Sequence, residues 1–206
     1  GRDEQEVVLG EKLEARRLAE FIYPAGVTLA EPAKLGKLLG EFLRANQFTA
    51  KTAVVGLPAR WLAVKSKDVP PADPATLASI LRLQAESDFS AELKELTCDY
   101  AGVTPSGETS SVMLIATQTK HVSAAVELCA AANLSAAAVT PSVVALGAAT
   151  SRAGGKDAMV LAVAASGTEF SALRGSSAVG VRSLRSASTG ELRRALWAVP
   201  GNSSRG

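Results

Sequence analysis

A Ser-His-Asp triad in this chain would have to use His121, the only histidine among 206 residues. His121 stands near the start of an expected helix, and no Gly-x-Ser-x-Gly elbow occurs anywhere in the sequence. It reads as a partly exposed surface histidine. Zinc needs several ligands at fixed spacing; one histidine, the scattered Cys98 and Cys129, and no cluster of carboxylates do not supply them. Gly154-Gly155-Lys156 has the outline of a phosphate loop. Asp157 follows where Ser or Thr is needed, however, and no glycine stands five residues before Gly155. A glycine pair closing a helix ahead of a strand explains it better. Asp73 with Glu86, and Glu92 with Glu95, lie in polar contexts without the apolar walls that raise a carboxyl pKa. Trp61 and Trp197 have apolar neighbours and read as core or interface anchors, not base-stacking platforms.

The elements that must position these residues alternate along the chain. Glu6–Leu9 and Leu18–Tyr23 have strand composition, and Pro24-Ala25-Gly26 ends the second run. Pro32 suits the first turn of a helix whose Leu35, Leu38, Leu39, Phe42 and Leu43 form one stripe. Gly36 and Gly40 weaken that helix by about 1 kcal/mol each relative to Ala, so they serve close packing or are tolerated. Thr52–Leu57 and Trp61–Lys65 are short strands, and Asp73-Pro74 caps a helix carrying Leu77, Ile80, Leu81 and Gln84 to about Asp88. Leu96–Val103 and Ser111–Thr117 form an antiparallel pair. A helix over 119–132 then presents Val122, Ala125, Val126 and Cys129, and Thr140-Pro141 opens another that ends near Gly154-Gly155. Residues 160–174 read as strand, Ser-Gly turn and strand, followed by a third strand from Ala178 to Leu184. Ser188-x-x-Glu191 is a capping-box spacing before Leu192, Ala195, Leu196 and Val199, and Pro200-Gly201 stops that helix. Mixed alternation of this kind predicts an α/β fold with a largely buried sheet.

Composition bounds the partners. Apolar residue types make up 47% of the chain and aromatics only 4%, which suits close helix-on-sheet packing. A net charge of +2 gives no field that points to nucleic acid or an anionic membrane. Beyond Ser151, eight basic residues face three acidic ones, a local balance of +5. That is a solvated basic face or a contact surface for an acidic partner. Cys98 and Cys129 are expected to be reduced core residues of a cytosolic domain. No apolar run reaches the length of a membrane span, and no signal peptide is visible.

Several stretches then carry a family resemblance. They are Gly56-Leu57-Pro58-Ala59-Arg60-Trp61-Leu62, Val69-Pro70-Pro71, Gln84-Ala85-Glu86-Ser87-Asp88, Asp99-Tyr100, Val112–Ala116, Asn133-Leu134, Ala145-Leu146 and the hairpin at 160–174. In this order they resemble the actin-like proteins of type IV pilus assembly (PilM-like) and the cytoplasmic domain of the type II secretion L protein (GspL-like). Arg182-Ser183-Leu184 with Glu191-Leu192-Arg193-Arg194-Ala195-Leu196 leans toward the secretion protein. The resemblance runs from about Leu18 to Trp197 and rests on soft motifs, apolar strands and small turns.

The resemblance implies an actin-like, ribonuclease H-like fold with mixed β-sheets flanked by helices. Residues 1–117 would form a first subdomain with an inserted strand–helix region, and 118–206 a truncated second subdomain. It implies a cytoplasmic scaffold, peripheral to the inner membrane, that links a bitopic membrane protein to a motor ATPase and leaves a homodimer open. In this superfamily a hairpin of the pattern Asp-Ile-Gly-Ala-x-x-Thr binds phosphate: its carboxylate organises Mg²⁺ and its glycine lets backbone N–H groups approach. Here Ala162 replaces the Asp and Ala164 the Gly; Ser166, Gly167 and Thr168 complete a vestigial cradle. The first phosphate motif is absent from Gly1–Gly10 and the later adenosine-contacting strand would lie after Gly206, so the chain reads as a fragment.

Losing the metal-organising carboxylate removes what phosphoryl transfer depends on. The leading expectation is a non-catalytic scaffold, with no metal or cofactor, acting through Arg182, Arg185, Arg193 and Arg194 and the anchors Trp61 and Trp197. One alternative is a Mg-ATP-binding PilM-like ATPase whose first motif lies outside this chain. Another is an unrelated α/β enzyme or small-molecule binding domain, marked by a deep pocket with convergent polar groups.

Overall fold

A computed structural model describes residues 17–89, 95–106, 109–152, 157–164, 167–175 and 177–184. Helix α1, Pro32–Ala45, starts on its proline and buries Leu35, Gly36 and Gly40. Its packing partner is α3, Thr119–Ala131. The helical glycines serve this contact: a Cβ on Gly36 would lie 2.4 Å from the Leu128 carbonyl oxygen, and one on Gly40 3.1 Å from Ala132 Cα. Both helices stop alike, with Gln47 and Asn133 in the left-handed region at φ 60°. There Phe48 N–H bonds Leu43 O at 2.9 Å, and Leu134 N–H bonds Cys129 O at 2.9 Å, satisfying carbonyls of the last turn.

Strand β1, Thr52–Leu57, pairs in parallel with β5, Ser135–Pro141. The sequence reading missed β5, because Ser135-Ala136-Ala137-Ala138 lacks the β-branched residues of a typical strand. The ladder to β1 holds it. This pairing joins residues on both sides of the expected 117/118 division. The expected strand Leu18–Tyr23 is also corrected: the segment is irregular, with Leu18 and Ile22 exposed, and Phe21 packs its ring on Phe42 at 5.2 Å. No described strand lies beside it to take up its backbone hydrogen bonds. Glu6–Leu9 and the helix expected over 191–199 lie outside the described residues.

Between β1 and β5 lies an antiparallel sheet of order β2-β4-β3, made of β2 (Leu62–Val69), β3 (Leu96–Ser106) and β4 (Thr109–Gln118). Helix α2, Pro74–Asp88, covers one face through Leu77, Leu81 and Ala85, packed on Val69, Val112 and Leu114. Its expected cap forms: Asp73 accepts from Ala75 N–H at 3.0 Å and Thr76 N–H at 3.1 Å. These bonds, the Thr76 hydroxyl's first, hold the Asp73 carboxyl below its ordinary range. At the other end Asp88 pairs with Lys67 and Lys65 of β2.

The central strand β4 explains itself by alternation. Val112 and Leu114 face α2, while Met113 faces a second core with Val143, Val160, Leu173, Ala178 and Val181. That core joins the inserted sheet to α4, Ser142–Arg152, and to the meander β6 (Asp157–Ala164), β7 (Gly167–Arg174) and β8 (Ser177–Leu184). The three expected strands form, and they run in the order β6-β7-β8, all antiparallel. At Gly102, φ 66° and an absent Cβ bring β3 against β8; a Cβ there would lie 1.8 Å from Ala178 O. Among the described residues no helix is long and apolar enough to cross a membrane.

Candidate functional site

The hairpin singled out in the sequence forms, and its register decides which residues share a face. Ala162 stands opposite Glu169, and Glu169 opposite Ser183. Cross-strand partners point the same way, so these three make one row across the meander. Thr168, one residue away, faces the other side and is buried. Thr168, the side chain that matches the expected phosphate pattern, therefore does not share the row. Ala164 pairs with Gly167, whose φ is 134°; Ser166 lies outside the described residues.

The Ala162–Glu169–Ser183 row faces the end of β1 and the first residue of α4 across a cleft of about 280 Å³. Gly56, Pro58, Arg60, Ser142 and Gly167 complete its lining. A Cβ on Gly56 would come within 2.9 Å of Ser142 Cβ, and this close approach brings the Ser142 hydroxyl 3.0 Å from Leu57 O. Glu169 is the group on which the cleft converges. Its Oε1 accepts from Ala59 N–H at 2.8 Å, and its Oε2 lies 2.8 Å from the Ser142 hydroxyl. Sequence reading counted Glu169 only as a charge, and nothing in its neighbours marks it.

A second cluster gathers at Trp61. His121 stacks on its ring with centroids 4.4 Å apart, and the Arg60 guanidinium lies 5.6 Å from the ring centroid. The buried Thr117 hydroxyl donates to Trp61 O at 3.0 Å and lies 3.3 Å from His121 Nδ1. Having one proton, that hydroxyl can only accept from the ring, so Nδ1 carries a hydrogen. Burial, then Lys120, pushes the His121 pKa below its ordinary value. His121 is partly exposed, as expected, with one face of its ring against Trp61. Trp61 is held by its own chain as a half-buried anchor.

Of the expected basic surface, Arg182 is exposed on β8 and lines, with Arg60, a groove of about 630 Å³ whose apolar residues include Leu62, Val64 and Val181. Arg185, Arg193, Arg194 and Trp197 lie outside the described residues. A third hollow, about 450 Å³, lies between α2 and β3, with Leu81, Leu96 and Leu114 beside Arg82, Asp99 and Tyr100. Cys129 is buried on α3 as expected. Cys98 corrects that reading: it lies on this hollow, in β3, and is exposed. Desolvation pushes both thiols up. Among the described residues no three His, Cys, Asp or Glu side chains gather as a metal site.

Three described sheets with helices, the third of them a meander over a small cleft, define a mixed α/β protein of PilM- and GspL-like fold. A chain of the PilM-PilN type IV pilus biogenesis complex superposes at a TM-score of 0.69 over 86% of this chain, at 24% identity. The cytoplasmic domain of EpsL, an inner-membrane component of the type II secretion system of Vibrio cholerae, superposes at 0.57 over 80%, at 13% identity. The likeness is one of fold. This chain spans 56% of the first structure's length and 61% of the second's. The sequence matches no protein-family model and no curated protein.

Proposed function

We propose that this chain is a non-catalytic, actin-like scaffold of a type IV pilus or type II secretion assembly. It works by protein contacts at the cytoplasmic face of the inner membrane, between a bitopic membrane protein and a motor ATPase. The observation that carries the reading is the row Ala162–Glu169–Ser183. The position that would hold a Mg²⁺-organising carboxylate is an alanine, and a glutamate occupies the face a phosphate would approach. A carboxylate there repels the like charge of a triphosphate.

In this reading the β2-β4-β3 sheet belongs to the inserted region of the first actin-like subdomain, and the meander belongs to the second. The half-buried Trp61 with Arg60 and the exposed Arg182 are the described residues offered to protein partners, since Trp and Arg dominate interface energies. Calorimetric titration of the chain with Mg-ATP tests the nucleotide side and is expected to show no binding heat. Low-micromolar binding would favour a PilM-like nucleotide binder and sink this reading. Capture of the cytoplasmic peptide of a bitopic assembly protein, weakened in Arg182→Glu, tests the partner side.

A further inference from the structure

The carboxylate in the cleft is bound, not merely present. It takes the Ala59 N–H at the start of a 3₁₀ turn and sits against the Ser142 hydroxyl at the first residue of α4. Helix α4 has no acidic residue in its own first turn, so the charge that suits the positive end of its dipole comes from β7. Arg60 adds a cation to the lining. A backbone N–H, a hydroxyl, a helix start and a guanidinium are the groups that bind a small oxyanion. In this chain the Ala59 N–H and the Ser142 hydroxyl are engaged by the Glu169 side chain.

We propose that the cleft is an oxyanion site whose resident anion is Glu169, and that this residue latches the β6-β7-β8 meander to the β1–α4 junction. The three elements it fastens lie far apart in sequence, 110 residues between Glu169 and Ala59 and 27 between Glu169 and Ser142. A bound phosphate could bridge the same groups; Glu169 bridges them without a ligand and excludes one by charge. The chemical class the emptied site would take is a phosphate-sized inorganic oxyanion. The inference deepens the scaffold reading and rests on it: a scaffold that needs no nucleotide must hold this junction shut by itself.

The test compares wild type, Glu169→Ala and Glu169→Gln by hydrogen exchange at the Ala59 amide and by thermal melting. Each is measured with inorganic phosphate and with chloride at matched ionic strength. Losing a hydrogen bond to a charged acceptor is expected to speed Ala59 exchange in Glu169→Ala about tenfold or more. Its Tm should fall by roughly 4–8 °C. Phosphate, and not chloride, should restore protection and Tm in that variant while leaving wild type unmoved. Should Glu169→Ala fail to fold, Glu169→Gln carries the test, since without the charge phosphate must raise its Tm more than that of wild type. Unchanged Ala59 exchange in Glu169→Ala overturns the latch and leaves the scaffold reading standing. A phosphate response as large in wild type as in the variants overturns the exclusion. Binding of Mg-ATP to wild type would instead defeat the scaffold reading itself.

Discussion

At Trp61 the chain stacks its single histidine on an indole and fixes the ring nitrogen through a buried threonine. Burial holds His121 below its ordinary pKa of 6.5, so the folded state binds a proton less readily than the unfolded chain does. The stability this gives is present at high pH and is lost as the pH falls through that ordinary value. Melting curves should therefore show a lower Tm on the acid side of it, and His121→Asn should flatten the slope in that window. An unchanged slope in the variant would assign the effect elsewhere. Glu169 teaches a related lesson. Its neighbours in sequence, Thr168 and Phe170, are buried on the other face, and only the cross-strand register sets it opposite Ala162. The pattern of the hairpin could be read from apolar runs around Ser166-Gly167. The carboxylate's role could not, because its partners Ala59 and Ser142 come from distant parts of the chain.

Helices α1 and α3 meet through glycine, and here two effects oppose each other. Gly36→Ala gains about 1 kcal/mol of helix propensity, but forcing a methyl group against the Leu128 carbonyl costs about 1–3 kcal/mol in displaced packing. Overpacking wins, so chemical denaturation of Gly36→Ala should show a net loss of about 1 kcal/mol. Gly102 is a stricter case. Its φ of 66° and the 1.8 Å to Ala178 O together make Gly102→Ala destabilising by about 3 kcal/mol, because β3 must leave β8 as well as strain its backbone. A variant as stable as wild type in denaturant would contradict the contact. The stripe of α1, the Asp73 cap of α2 and the β6–β7 hairpin were all legible, since period, cap and turn are local. Whether Gly36 and Gly40 pack or are merely tolerated was not, and neither was β5, whose strand state is set by its partner β1.

In the whole molecule one core, around Met113, Val143, Leu173 and Val181, binds the inserted sheet to α4 and the meander. Met113→Ala should cost about 2–5 kcal/mol by leaving a cavity where those elements meet. Far-UV circular dichroism and the fluorescence of the tryptophans are expected to follow one coincident transition in the variant, shifted to lower denaturant. Separate transitions would mean that the meander and the inserted sheet unfold independently.

By itself the amino-acid order determined most of the helices and strands, the Asp73 cap, the Ser166-Gly167 turn, and the alanines at 162 and 164 of the hairpin. Each of these is settled by neighbours a few residues away, through backbone torsions and the alternation of side chains. Tertiary structure alone decided that β5 is a strand, that Thr168 turns inward, that Cys98 is exposed, and that Glu169 meets Ala59 and Ser142 at the cleft. Those outcomes depend on groups brought together across tens of residues, and contact of that kind leaves no periodic mark in a linear chain.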